Sequence, residues 1–384
     1  MNWFSGLRAR GTIGGRVVRL VMGVAAVSAM VLGVAGLGAG AAAADSVVDT
    51  IPVGNVPLDV AVSPTGSRVY VANNGDGTVS VVDTFSNSVV DTITVGAVPS
   101  GVAVSPLGFR VYVTNEGDDT LSVVDTFSNS VVDTVTAGAG PSGVAVSPDG
   151  FRVYVTNALD GTVSVVDTFS NSVVDTVTVG AGPSGVAVSP DGFRVYVTNF
   201  DDGTVSVVDT SSNSVVDTIT VGAGSFGVVV SPDGSRVYVT NTSDGTVSVV
   251  DTFSNSVVDT ITVGTAPSGV AVSPDGSRVY VANALDGTVS VVDTFSNSVV
   301  DTITGGDFPT GVAVSPLGSR VYVANALDDT VSVIAVEKCP GSLCFGAGSF
   351  AGAGAGSTGS AGSAGTGSFA GAGAGAGSTG STTS

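Results

Sequence analysis

The sequence predicts an all-β fold, a seven-bladed β-propeller of four-stranded antiparallel blades, closed by its own N-terminal strand. Three observations predict it. All seven Tyr of the chain (Tyr70, Tyr112, Tyr154, Tyr196, Tyr238, Tyr280 and Tyr322) stand 42 residues apart, and seven Arg from Arg68 to Arg320 keep the same step. Each period holds four short segments rich in Val, Thr and Tyr, with turn residues between them and no helical periodicity. Four antiparallel strands per 42 residues make one propeller blade. Finally, Ser46–Val53 repeats the fourth strand of an interior period such as Ser88–Val95, whereas the seventh period, from Gly311, has only three.

The third period shows the elements in order. Gly143–Ser147 is a first strand of small residues, suited to a crowded central axis, and Gly143 lets neighbouring blades approach closely. Pro148-Asp149-Gly150 is a turn, Arg152–Thr156 a second strand, and Ala158–Gly161 an Asp-Gly turn. Thr162–Asp167 is a third strand, Phe169-Ser170-Asn171 a tight loop, and Ser172–Val179 a fourth strand. The surplus strand at the start fits the deficit at the end, so Ser46–Val53 is expected on the outer edge of the seventh blade. Pro52 is compatible with that edge. An open stack of seven sheets is the alternative, but it needs polar terminal units, and neither end supplies one.

Antiparallel register places Arg68 opposite Asp83, and the same pairing is expected for Arg152 with Asp167 and Arg278 with Asp293. Repetition in every blade marks these pairs as structural. The seven Tyr are expected to pack between blades with their hydroxyls on polar groups.

The outer hairpin hardly varies: Asp-Thr-Phe-Ser-Asn-Ser-Val-Val-Asp recurs from Asp83, Asp125, Asp167, Asp251 and Asp293. Variation collects in two kinds of connection. One links the second and third strands, as in Glu116–Asp119 and Phe200–Gly203; the other links successive blades, as in Asn55–Asp59, Ala223–Phe226 and Gly306–Pro309. Strand direction puts both on one face, which is therefore the expected binding face. Its candidate residues are Asp76, Asp118, Asp119, Asp160, Phe200, Asp201, Asp202, Phe226, Asp244, Asp286, Asp307, Phe308 and Asp328. Asp-Gly turn chemistry accounts for the acids. The sharper reading is an acidic ring that draws cations or a basic partner. No interval matches an EF-hand loop.

Composition narrows the function. The chain has no His, which removes an imidazole base, a haem ligand and a Ser-His-Asp triad. Residues 1–44 carry four Arg and no acid; without them eight basic residues face 32 acidic ones. Such a body repels nucleic acid and anionic lipid surfaces.

Residues 1–44 have a positive flank (Arg8, Arg10, Arg16, Arg19), an uncharged run from Leu20 to Ala44, and a closing Ala42-Ala43-Ala44. This is the pattern of a secretory signal. The run also has the length of a membrane span, so an uncleaved anchor is the alternative, and membrane contact is expected only through residues 17–44 in that case. Both place residues 45–338, the propeller, outside the cytoplasm. In 339–345, Cys339 and Cys344 of Cys-Pro-Gly-Ser-Leu-Cys are expected to form a disulfide there. Residues 346–384 are uncharged Gly, Ala, Ser and Thr with two copies of Gly-Ser-Phe-Ala-Gly-Ala-Gly-Ala-Gly, a low-complexity tail.

Val-Tyr-Val-Thr-Asn at Val111–Asn115, Val153–Asn157, Val195–Asn199 and Val237–Asn241 resembles the YVTN family of β-propeller repeats, and Ser-Pro-Asp-Gly at Ser147–Gly150 and Ser231–Gly234 is similar to its turns. Tyr70, Tyr280 and Tyr322 are followed by Val-Ala-Asn instead. The resemblance implies a seven-bladed propeller of the kind found in surface-layer and secreted bacterial proteins; related folds include lactonases and redox-enzyme subunits. The expectation is a secreted or cell-surface structural or binding module without enzymatic activity, its partner a cell-envelope protein or glycan. A lactonase-like, metal-dependent hydrolase is the alternative. No cofactor is expected, and a divalent cation is left open.

Overall fold

The computed structural model describes residues 44–337 as 28 strands in seven four-stranded antiparallel sheets. The first blade sets the pattern: β2 (Pro57–Val62), β3 (Arg68–Asn73), β4 (Thr78–Asp83) and β5 (Ser88–Thr94) lie side by side from axis to rim. The pattern repeats up to β26 (Pro309–Val314), β27 (Arg320–Asn325) and β28 (Thr330–Ala335), whose sheet is completed by β1 (Ser46–Pro52) in the order β1-β28-β27-β26. The N-terminal strand therefore closes the ring, running antiparallel to β28 with Ser46 opposite Ala335 and Pro52 opposite Thr330.

Burial explains the composition of each strand. The second and third strands are buried along nearly their whole length, because both of their faces meet a neighbouring blade. That is why residues on both faces of these strands are apolar or small, as in Val-Tyr-Val-Ala and Val-Ser-Val-Val, rather than alternating with charged ones. Tyr70 packs with Val102, Val111 and Val113 of the second blade, which confirms an inter-blade position for the repeated Tyr. The outer strands are mostly exposed, with one inward side chain such as Ile93. At the seam, Val60, Val69 and Val71 of the first blade pack with Ile51, Tyr322, Val331 and Val333 of the last, through the same kind of apolar contact as between the other blades.

First strands begin earlier than the sequence suggests, at Pro141 rather than Gly143 in the third blade, because a register shift between Pro141 and Val144 lets two residues bulge past the second strand. Gly143 does serve close approach. A Cβ there would press into the carbonyl oxygen of Ser184 in the next blade.

The expected charge pairs form in five blades: Arg68–Asp83, Arg110–Asp125, Arg152–Asp167, Arg194–Asp209 and Arg236–Asp251. The pair expected between Arg278 and Asp293 does not. The two are opposite in register, but the Arg278 guanidinium donates to Asp45 Oδ2 at 2.7 Å. Asp45 lies just before β1, with a side chain only 1% exposed, and a buried carboxylate needs a cation more than a solvated one does. It also accepts from the Tyr280 hydroxyl at 3.1 Å and the Glu337 backbone N–H at 2.9 Å. Asp45 thus ties the entering and leaving chain to the sixth blade.

Candidate functional site

First strands begin, second strands end and third strands begin on one face of the disc, here called the upper face. It carries the variable connections. Every described Arg starts a second strand and so lies on the opposite, lower face. The upper face therefore has acids and no cation among the described residues.

A buried Asn ends each second strand and builds this face. Asn199, fully buried, donates from Nδ2 to Thr204 Oγ1 at 2.9 Å and Ser206 Oγ at 3.0 Å, and accepts at Oδ1 from the Gly180 backbone N–H at 3.0 Å. An amide is the side chain that donates twice and accepts at once. It pins the connection arriving from the preceding blade to its own hairpin. The Asn of the Val-Tyr-Val-Thr-Asn motif had no role assigned from sequence.

The seven acids of the expected ring do related work. Asp76, Asp118, Asp160, Asp202, Asp244, Asp286 and Asp328 each accept through Oδ2 from the backbone N–H of residues 55, 97, 139, 181, 223, 265 and 307, at 2.6–2.7 Å. Asp307 is the donor to Asp328. Each acid has a fixed structural partner, so the ring is a set of loop clasps. Asp119 replaces the turn glycine at φ 56° and accepts from Gly140 N at 2.9 Å. Its counterpart Asp329 accepts from Val56 N at 2.8 Å, across the closing seam. Phe308, expected on the binding surface, is instead buried with Leu58, Ala266, Ala284 and Ala326. The small side chains there leave room for its ring, and the cluster seals the sector between the sixth and first blades.

The open sector surrounds a cavity of about 250 Å³ at the mouth of the central channel, lined by the first strands of all seven blades. Leu159, Phe200 and Phe226 supply apolar edges, and Glu116 and Asp201 supply acids. Phe200 and Phe226 meet edge to face, with centroids 6.4 Å apart and planes at 86°. Sequence reasoning brought Phe200, Asp201 and Phe226 to one face, and the structure brings them to one cavity.

What sequence reasoning missed is Asp59. Its place in the connection Asn55–Asp59 assigned it no role. In the other blades the position belongs to Gly101, Gly143, Gly185, Gly227, Gly269 and Gly311. Aligning the seven periods on this column would have shown the exception. Asp59 lies in β2, partly buried at the cavity wall, and its carboxylate accepts from Val60 N and from Val102 N of the next blade, both at 2.9 Å. Burial nevertheless pushes its pKa up to about 6 against these two N–H groups, which pull it down.

The folded state binds the Asp59 proton more tightly than the unfolded chain, so the folded state gains most below pH 4 and loses that gain as pH rises towards 6. At neutral pH the ionised group costs about 2–3 kcal/mol, reduced by whatever water the channel admits. Urea unfolding of Asp59→Asn beside the parent chain is expected to show the gap: the parent should lose about 2 kcal/mol relative to the variant between pH 4.5 and 7.

Among the described residues, no group of three or more acidic side chains converges as a metal site. Cys339 and Cys344 lie outside the described residues.

Two family models match parts of the chain: the lactonase, 7-bladed beta-propeller over residues 218–355, and the YNCE-like beta-propeller over residues 103–194. Each spans less than half of the sequence. Among solved structures, the chain is similar to hydrazine synthase of Kuenenia stuttgartiensis, at 24% identity and a TM-score of 0.68, covering 78% of this chain and 99% of that one. That likeness speaks for the fold alone. No curated protein matches.

Proposed function

We propose that this chain is an exported binding module whose channel mouth takes a small organic cation, an amine or guanidinium carrying an apolar arm. The observation behind this is Asp59: one blade of seven replaces a glycine with a carboxylate at the wall of the cavity, and burial raises its pKa. A carboxylate so perturbed and facing a cavity is a candidate for function.

The chemistry of the ligand follows from the walls. A carboxylate offers about four lone-pair directions, and backbone N–H groups occupy two, which leaves capacity for a donor in the cavity. Phe200 and Phe226 present aromatic surface to an apolar arm or to the cation itself. Glu116 and Asp201 add negative potential, and among the described residues the positive side chains lie on the other face. Export rests on the pattern of residues 1–44, and the cell-surface setting on the resemblance to YVTN repeats of surface-layer and secreted proteins. In that setting, the partner is an amine-bearing envelope component: a basic side chain of a protein or an amino sugar of a glycan.

Calorimetric titration of the full chain with phenethylamine and with agmatine tests this. Binding to the parent should weaken as pH falls from 7 to 5 and Asp59 takes up its proton. Asp59→Asn should weaken it at least tenfold at pH 7, about 1.4 kcal/mol. Equal affinity in parent and variant would sink the proposal.

A second reading is hydrolysis of a lactone, favoured by the partial match of residues 218–355 to the lactonase model. Turnover of a simple γ-lactone by the full chain, with and without added Ca²⁺, separates the two. Cation binding without turnover supports the binding module.

A further inference from the structure

The lower face has a feature that the channel site does not use. The turns between third and fourth strands carry Phe85, Phe127, Phe169, Phe253 and Phe295, each 97–100% exposed. Only the fourth blade differs, with Ser211, and the seventh has no such turn because β1 replaces its continuation. Phe109, Phe151 and Phe193, more than half exposed, stand on the turns between first and second strands of the same face. An isolated exposed apolar residue needs no explanation, but a ring of fully exposed aromatics does.

Two further observations identify what covers it. The described chain enters and leaves on this face, since Ser46 lies opposite Ala335 at the lower end of the closing sheet. Immediately before it in sequence comes the uncharged run from Leu20 to Ala44, long enough to span a bilayer. All seven described Arg lie on the lower face, where five of them pair with an Asp of the same blade and Asp149, Asp191, Asp233 and Asp275 add further acids, while the upper face holds acids alone; both faces are acidic, the upper one without any Arg, so the layer that fits is zwitterionic rather than anionic. Phe is among the apolar side chains through which protein segments that lie on a bilayer enter the boundary between headgroups and acyl chains.

We propose that the lower face rests on a lipid bilayer, with the Phe ring at the headgroup level and the N-terminal segment entering the same membrane. The channel mouth then points away from the lipid, towards solvent. This assignment does not depend on the cation site.

The test uses the full chain with Trp3→Phe, so that one added Trp reports position. Phe127→Trp and Ser211→Trp place it on two lower-face turns, and Leu285→Trp places it on the upper face as a control. Both lower positions already vary between Phe and Ser among the blades, so the turn accepts different side chains. In phosphatidylcholine vesicles, the two lower reporters should shift to the blue and lose emission to lipid carrying a headgroup-level nitroxide. The upper reporter should do neither. Emission from both lower reporters that stays at its aqueous wavelength, unquenched, overturns the proposal. A concentration-dependent blue shift without lipid also overturns it, in favour of a second copy covering the face.

Discussion

A chain lacking residues 44–52 is expected to lose the cooperative unfolding of the whole ring, at a cost of more than about 5 kcal/mol, the scale of an entire domain's net stability. Three losses combine. Ile51, 1% exposed, leaves the seam cluster, where full burial of such a side chain is worth about 1.5–3 kcal/mol. β28 loses its outer partner and presents an open edge, with Val331 and Val333 uncovered on one side. Asp45 no longer holds Arg278, Tyr280 and Glu337 together. Urea titration should show a broadened transition, and size-exclusion chromatography should show association through the open strand. A sharp transition at the parent midpoint would mean that the seam closes without β1. Asp45→Ala alone should be milder, about 1–3 kcal/mol, because Arg278 has Asp293 opposite it in register as a fallback.

Replacing Asn199 with Ala is expected to cost about 3 kcal/mol and to weaken cation binding at the channel mouth. The substitution strands the Gly180 N–H in a buried site and removes the shared partner of Thr204 and Ser206. Gly180 leads into Gly182 and Pro183, and Asn199 precedes Phe200 and Asp201, all four of which line the cavity. Stability and binding should therefore fall together. Asn199→Asp is the informative companion: it can still accept from Gly180, but it cannot donate and brings a charge into a fully buried position. It should be no more stable than the Ala variant. If Asn199→Asp matches the parent in thermal unfolding, the amide is not the organiser described here.

The architecture was legible because a 42-residue period repeats the same strand pattern, and because a strand's partners are set by alternation and turn type. Ring closure was legible for the same reason: Ser46–Val53 copies an interior strand, and the last period lacks one. The face carrying Phe200, Asp201 and Phe226 followed from strand direction. Asp59 was visible as a letter but not as a site, because its meaning depends on six glycines in the same column meeting at one axis. Phe308 was misplaced for the opposite reason, since a loop position said nothing about the cluster of small side chains waiting beneath it.

Sequence alone determined what depends on short-range regularity: blade count, the register of second against third strands with its Arg68–Asp83 and Arg152–Asp167 pairs, and which connections share a face. Tertiary structure alone decided what depends on bringing distant segments within a few ångströms. Asp45 reaches Arg278 across 233 residues only because the ring closes. A carboxylate becomes harder to ionise at position 59 only because the ring brings the neighbouring blades against it. Local pattern sets the strands, but solvent exclusion and electrostatic pairing are properties of the closed ring.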